Sequence, residues 1–201
     1  MVQVKKAEIR DAILEAAARL FEEKGYVGTS MTEIGQAAGV APSGIYIYFN
    51  SKLDLFYTVF GPWLKARLDV LERELETVTG HRPKVRRIVE AIWLDIPNES
   101  NFFANNLMQA VSTATQADLY SGELLEWCEQ RVAKMLKAAA PRPLRSKSHH
   151  ASLAHILFMS FNGFVVGAHL GVRAGKTVPA IEAMTDLIVG SPPPRLTTVQ
   201  S

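Results

Sequence analysis

Apolar residues recur along this chain at helical intervals. Ile9, Ala12, Ile13, Ala16, Ala17, Leu20 and Phe21 fall at i, i+3 and i+4, a stripe that predicts a first helix over residues 7–24. Gly25 stops it, and Tyr26 can fold back on its apolar face. Ser30 and Glu33 have capping-box spacing and open a second helix carrying Met31, Ile34 and Ala38. Gly39 suits the left-handed end of that helix. Pro42 suits the first position of a short third helix, which ends near Phe49. Ile45 and Phe49 can close a three-helix core, leaving Ser43, Gly44, Ile47 and Tyr48 on the other side. Helix, glycine-containing turn and short second helix is the helix-turn-helix plan, whose second helix enters the major groove of DNA.

The same periodicity runs through the remaining residues. Ser51-Lys52-Leu53-Asp54 opens a long fourth helix reaching about Val78, with Gly61-Pro62 placed to kink or break it. After a turn at residues 80–83, Val85, Ile88, Val89, Ile92, Trp93 and Ile96 mark a helix that Pro97 closes. Residues 99–115 and 120–139 carry two more stripes, the second including Leu124, Leu125 and Cys128. A polar, proline-broken loop over 141–147 precedes helices predicted at 149–172 and 179–189. No alternating β-branched run occurs, so the expected fold is all-α. It divides into a three-helix DNA-binding domain (1–55), a helical bundle for ligand binding and dimerisation (56–190) and a disordered tail (191–201).

Composition alters this picture little. Of 201 residues 48% are hydrophobic, which indicates a globular chain. The single cysteine excludes a disulfide framework and fits a reducing cytoplasm. Residues 1–30 lack the apolar run of a signal peptide. The net charge is +2, and six basic residues meet seven acidic ones in the first sixty, so the proposed DNA-binding part is not basic overall. Local placement governs phosphate contacts, and Lys5, Lys6 and Arg10 cluster in the N-terminal arm. Residues 148–172 are free of Asp, Glu, Lys and Arg and long enough to cross a membrane. His149, His150, His155, Asn162 and His169 would all need partners in lipid, which argues against a membrane span. Gly163, Gly167 and Gly171 repeat every four residues, as expected for close helix packing in a soluble dimer.

Thr32-Glu33-Ile34, Ala37-Ala38-Gly39-Val40, Ile45-Tyr46, Tyr48-Phe49 and Ser51-Lys52, with the preceding Gly25-Tyr26, resemble the DNA-binding domain of the tetracycline-repressor (TetR) family. The resemblance covers the first 55 to 60 residues. It implies an all-helical homodimer that represses transcription and leaves its palindromic operator when a small molecule binds the C-terminal domain. Thr29, Thr32, Ala41, Pro42, Ser43 and Gly44 are then expected at the DNA, together with Tyr46, Ile47, Tyr48 and Lys52. The tyrosines would donate to phosphates, and the Lys52 charge would add to helix N-terminal amides as a phosphate site. Ala41 and the Ser43-Gly44 pair depart from the family pattern, so no operator sequence is implied. Dimer contacts fall at Gly163, Gly167, Gly171, Met184, Leu187 and Ile188. Gly61-Pro62 could serve as a hinge between ligand and DNA, or only as a bend.

No nucleophile elbow, phosphate loop or dinucleotide fingerprint occurs, and the histidines lack metal spacing, so neither metal nor cofactor is expected. Cys128 reads as a core residue. Trp93, Phe103, Met108, Trp127, Phe158 and Phe161, with Met159, can line an apolar cavity in the bundle. Asn106, Gln109, His155 or Asn162 could orient a ligand there. With few charges nearby, an apolar or aromatic neutral effector is expected. The competing readings are an all-helical enzyme or a binding protein for a hydrophobic molecule. The enzyme would need His155 to meet Glu99 or Asp95. A helical adaptor would leave Tyr46, Tyr48 and Lys52 unexplained. The expected partners are thus double-stranded DNA, a small effector and a second copy of the chain, in the cytoplasm and without a membrane.

Overall fold

The computed structural model describes residues 2–99, 103–118, 122–141, 147–170 and 174–190. Among them are eight α-helices and no strand: α1 (Val2–Lys24), α2 (Met31–Ala37), α3 (Lys52–Thr77), α4 (His81–Glu90), α5 (Phe103–Thr113), α6 (Glu123–Ala139), α7 (Lys147–Leu170) and α8 (Ala174–Val189). The expected tail and Gly171 lie outside the described residues.

The head is built as its apolar stripe dictates. Ile13, Ala16, Ala17, Leu20 and Phe21 of α1 are buried with Met31, Ile34, Ile45 and Phe49. The capping box forms: Glu33 N donates to Ser30 Oγ at 3.2 Å, and Ser30 N donates to Glu33 Oε2 at 2.9 Å. Ser30→Ala is expected to lower stability by about 1 kcal/mol in a denaturant titration. An unchanged midpoint would show that water replaces the cap. Hydrogen bonds from Lys24 and then Ser30 hold the Glu33 carboxyl down at about 2. Its folded value lies below its ordinary one, so its contribution to stability is present above pH 4.5 and fades as pH falls towards 2.

The third helix is shorter than the sequence suggests. Only one 3₁₀ turn forms, Ile45–Ile47. Gly44, β-branched Ile45 and Ile47, and Tyr46 are poor helix formers. Ser51 then caps α3, with Asp54 N donating to its Oγ at 3.1 Å, so no further turn can be added.

α3 runs unbroken through Gly61 and Pro62, against the expected break. Gly61 is buried against α6, where an added Cβ would lie 3.4 Å from Leu124 Cδ2, and Pro62 faces outward. Leu53, Leu55, Phe56 and Phe60 before Pro62, and Leu64, Leu68, Leu71 and Leu75 after it, are all buried. Proline inside a helix costs about 3 kcal/mol, and that much packing on both sides outweighs it. α4 continues into a π-helical turn over Ala91–Asp95. α8 begins at Ala174, with Pro179 inside it. Arg82 donates to Glu182 at 2.6 Å and to Asp186 at 2.9 Å, and Arg86 donates to Glu182 at 2.6 Å, fixing α8 on α4. α7 has the length and composition of a membrane span over His149–Gly167, yet it packs against α5, α6 and the π-helical turn.

One contiguous core joins head and bundle. Its junction is aromatic. The Phe56 ring lies 6.0 Å from Phe21, 5.7 Å from Tyr26, 4.9 Å from Phe60 and 6.1 Å from Phe103.

Candidate nucleic-acid interface and effector cavity

Helix α2 and the turn after it present a small exposed face. Thr32, Ala41, Pro42 and Ser43 are exposed, Gly44 and Tyr48 half-buried, Tyr46 56% and Ile47 71% exposed. Small residues make the turn tight. A Cβ on Gly44 would lie 3.0 Å from Val40 Cγ1, and one on Gly35 would lie 3.2 Å from Val40 O.

Two expected DNA contacts are instead internal. Thr29 is buried, and its hydroxyl donates to Gly25 O at 2.8 Å and Leu20 O at 3.1 Å, closing the end of α1. Lys52 Nζ donates to Tyr26 O and Thr29 O, each at 2.8 Å, and stands 4.2 Å above the Tyr26 ring. Burial lowers its pKa against the attraction of Asp118 and Glu33. Its ammonium thus holds the α1–α2 corner through two backbone carbonyls. Burial also pushes the Tyr26 hydroxyl up to about 12. In sequence Lys52 is simply a cation at a helix start; only the fold brings two carbonyls under it. Lys6, Arg10 and Arg19 are the exposed head cations not ion-paired among the described residues, with Arg10 5.3 Å from the Phe49 ring centre.

A cavity of about 480 Å³ lies between α3, α5, α6 and α7. Leu53, Tyr57 and Leu64 of α3 form one wall, and Phe103, Leu107, Val111 and Ala114 form another, continued by Thr115 and Gln116. Ile96, Leu124, Leu125, Cys128, Phe158, Met159, Phe161 and Asn162 complete it. Among the described residues the lining holds no charged side chain. Val111, Leu125 and Met159 are both lining and solvent-exposed, and so mark its mouth. The Cys128 thiol is pushed up to about 12 by burial and stays neutral.

Phe103, Phe158, Phe161 and Asn162 line this space, but Trp93, Met108, Trp127 and His155 do not, and nor do Asn106 and Gln109. Trp93 donates Nε1 to Leu157 O at 3.0 Å and stacks on Phe164 at 4.5 Å, so it is core beyond α7. Met108 packs half-buried against the core. Trp127 has Lys65 Nζ 5.2 Å and Arg131 Cζ 5.5 Å from its ring centre. His155 is exposed, with Nδ1 2.9 Å from Glu129 Oε1. The acid–base pairing considered for an enzyme does not form: Glu99 pairs with Arg67 at 3.3 Å and Asp95 with Arg87 at 2.8 Å. Among the described residues no three potential metal ligands cluster. Sequence reasoning missed the α3 wall, because a connecting helix gave no reason to expect ligand contacts on it.

The outer faces of α7 and α8 expose Ile156, Met159 (58%), Val166, Val178 and Leu187 (76%). Gly163 opens to empty space and Met184 is half-buried. Gly167 and Ile188, expected as dimer contacts, are buried within their own chain.

Residues 13–59, spanning the buried face of α1 through the first turns of α3, match the sequence pattern of the bacterial regulatory proteins of the tetR family. Over this span the chain resembles the DNA-binding part of the tetR family. Among its relatives, the transcriptional activator FasR of Mycolicibacterium smegmatis is 31% identical over 113 residues, 54% of this chain and 52% of FasR. The transcriptional repressor BepR of Brucella suis is 38% identical over 84 residues, 42% of this chain and 39% of BepR. The chain thus spans about half the length, or less, of these relatives. The Thermus thermophilus repressor FadR, solved in complex with lauroyl-CoA, shares the fold with a TM-score of 0.67 and 17% identity, over 89% of this chain and 92% of that one.

Proposed function

We propose that this chain is a dimeric, DNA-binding transcriptional repressor that an apolar molecule, an acyl chain or an aromatic, releases from a palindromic operator in the cytoplasm. The observation that carries the reading is the pairing within one fold of an exposed helix-turn-helix face, Pro42 to Ile47, with an uncharged cavity in the bundle. Residues 1–55 would dock on DNA, while 56–190 would hold the effector and the partner subunit. The apolar faces of α7 and α8 would meet those of a second copy. The tetR relatives support the regulatory role, and the acyl-CoA complex of the similarly folded FadR supports an acyl occupant. No cation lines the cavity among the described residues, so a charged headgroup would stay outside the mouth at Val111, Leu125 and Met159, with the apolar part inside.

Thr32, Ala41, Pro42, Ser43, Gly44, Tyr46, Ile47 and Tyr48 form the proposed DNA face. Ile47 has no polar atom to offer a base edge, so it is suited to a thymine methyl group. Selection from a random duplex pool should recover two half-sites about one helical turn, or a multiple, apart, with affinity falling as salt rises. Recovery of no preferred sequence would sink the reading. Uracil in place of the contacted thymine should weaken binding roughly fourfold, the value of one buried methyl at about 0.8 kcal/mol. Ile47→Ala should abolish that difference and Tyr46→Phe should keep it.

A further inference from the structure

We infer that Asn106 and Gln109 of α5 are the positioning residues through which occupancy of the cavity reaches the helix-turn-helix. This rests on the proposed regulatory reading and names its route. α5 has two working faces. Phe103, Leu107, Val111 and Ala114 form a wall of the cavity. Asn106 and Gln109, which the sequence offered as ligand contacts, turn instead to the end of α1. Asn106 is fully buried and donates Nδ2 to Phe21 O at 3.1 Å. Gln109 Oε1 accepts from Val27 N at 2.8 Å. Gly25 permits that approach, since with φ +73° its Cβ would lie 2.8 Å from Gln109 Oε1.

The corner so held, residues 25–30, ends in the cap of α2. Lys52 grips the same corner from α3 through Tyr26 O and Thr29 O. Beyond α5, Thr115 and Gln116 still line the cavity, while Asp118 O accepts from Ser51 Oγ at 2.8 Å at the start of α3. Every stretch of α5 that would touch an occupant is therefore a few residues from a hydrogen bond to the head. An occupant that displaces α5 must stretch these bonds or carry the corner with it. A helix behaves as a rigid element between the two sites. α3 continues as one helix through Gly61 and Pro62 and is packed on both sides of them. An effector shifts duplex affinity only by its preference between the two arrangements, typically about 5- to 150-fold.

The test fills the cavity without needing the natural effector. Leu125→Trp places a larger ring at the exposed rim of α6 in the full chain, and Asn162→Trp does so from α7 should the first not fold by circular dichroism. Filling should speed hydrogen exchange of the Val27 amide and lower affinity for the selected duplex by 5-fold or more, within the range expected for such coupling. In a Gln109→Ala background, duplex affinity alone should stay near wild type, and filling should no longer lower it. Gln109→Glu, which keeps the acceptor oxygen, should restore the response. An equal loss on filling in both backgrounds would overturn the route, as would Val27 exchange that filling leaves unchanged. Loss of duplex binding by folded Gln109→Ala alone would also overturn it, making Gln109 a prop of the head. Should the wild-type chain select no duplex at all, the regulatory reading fails, and Val27 exchange still decides whether the cavity moves the corner.

Discussion

Phe56→Ala is expected to destabilise the whole chain by about 3–5 kcal/mol, against a total stability of about 5–15 kcal/mol. Phe56 is fully buried and touches rings from three directions: Phe21 and Tyr26 of the head, Phe60 on its own helix, and Phe103 of the bundle. Its loss removes the transfer energy of one large side chain and leaves a hole whose walls, on α1, the turn after it, α3 and α5, are each held by their own packing. The hole sits where the head meets the bundle, so the effect should not be confined to either. Trp63, Trp93 and Trp127 report on the bundle by fluorescence, while far-ultraviolet circular dichroism reports on all helices. In the wild type the two signals should fall together across a denaturant titration. In Phe56→Ala both midpoints should drop, and helical signal should begin to fall before the tryptophans respond. A loss below about 1 kcal/mol would mean that the neighbouring rings collapse into the space, and that the aromatic junction is not what unites the two parts.

What the sequence made legible follows from how local each cause was. The α1 stripe, the Ser30–Glu33 cap and the Gly39 turn are decided within a few residues, and they stand in the structure as read. The short third helix went wrong because the α3 cap at Ser51 and poor helix formers at 44–47 together leave room for a single 3₁₀ turn. Pro62 misled for the opposite reason, since a local rule lost to eight buried side chains along α3. The cavity was half legible. Size and apolarity single out Phe103, Phe158 and Phe161, which line it, and equally Trp93 and Trp127, which instead meet Leu157 O and the cations Lys65 and Arg131. In sequence Lys52 and Thr29 read as groups facing DNA, because the backbone carbonyls that hold them converge only in three dimensions. Asn106 and Gln109 stand out in sequence as polar residues on an apolar helix, and the fold turns them from the cavity to the head.

Leu187→Arg should separate the proposed dimer with little harm to the fold. Leu187 is 76% exposed on a helix whose inner side is already fixed, by buried Ile181 and Ile188 and by the Arg82 and Arg86 ion pairs to Glu182 and Asp186. An arginine there displaces nothing within its own chain but cannot enter an apolar face of a second copy without leaving its charge unpaired. Gly167→Arg would be a poorer test, since Gly167 is buried in its own chain and the substitution would disturb the protomer first. A dimer on a palindrome engages its second half-site at the high effective concentration set by the first, so losing the partner should weaken full-site binding by about 10²–10⁴-fold. Affinity for an isolated half-site should not change, because the helix-turn-helix is untouched. Sedimentation and duplex titration on the same sample separate the possibilities. A variant that still sediments as a dimer places the interface elsewhere than Leu187. A monomer that grips the full site as tightly as the wild type would show that the two half-sites are not bridged through α7 and α8, and with that the dimeric reading of this face would fall.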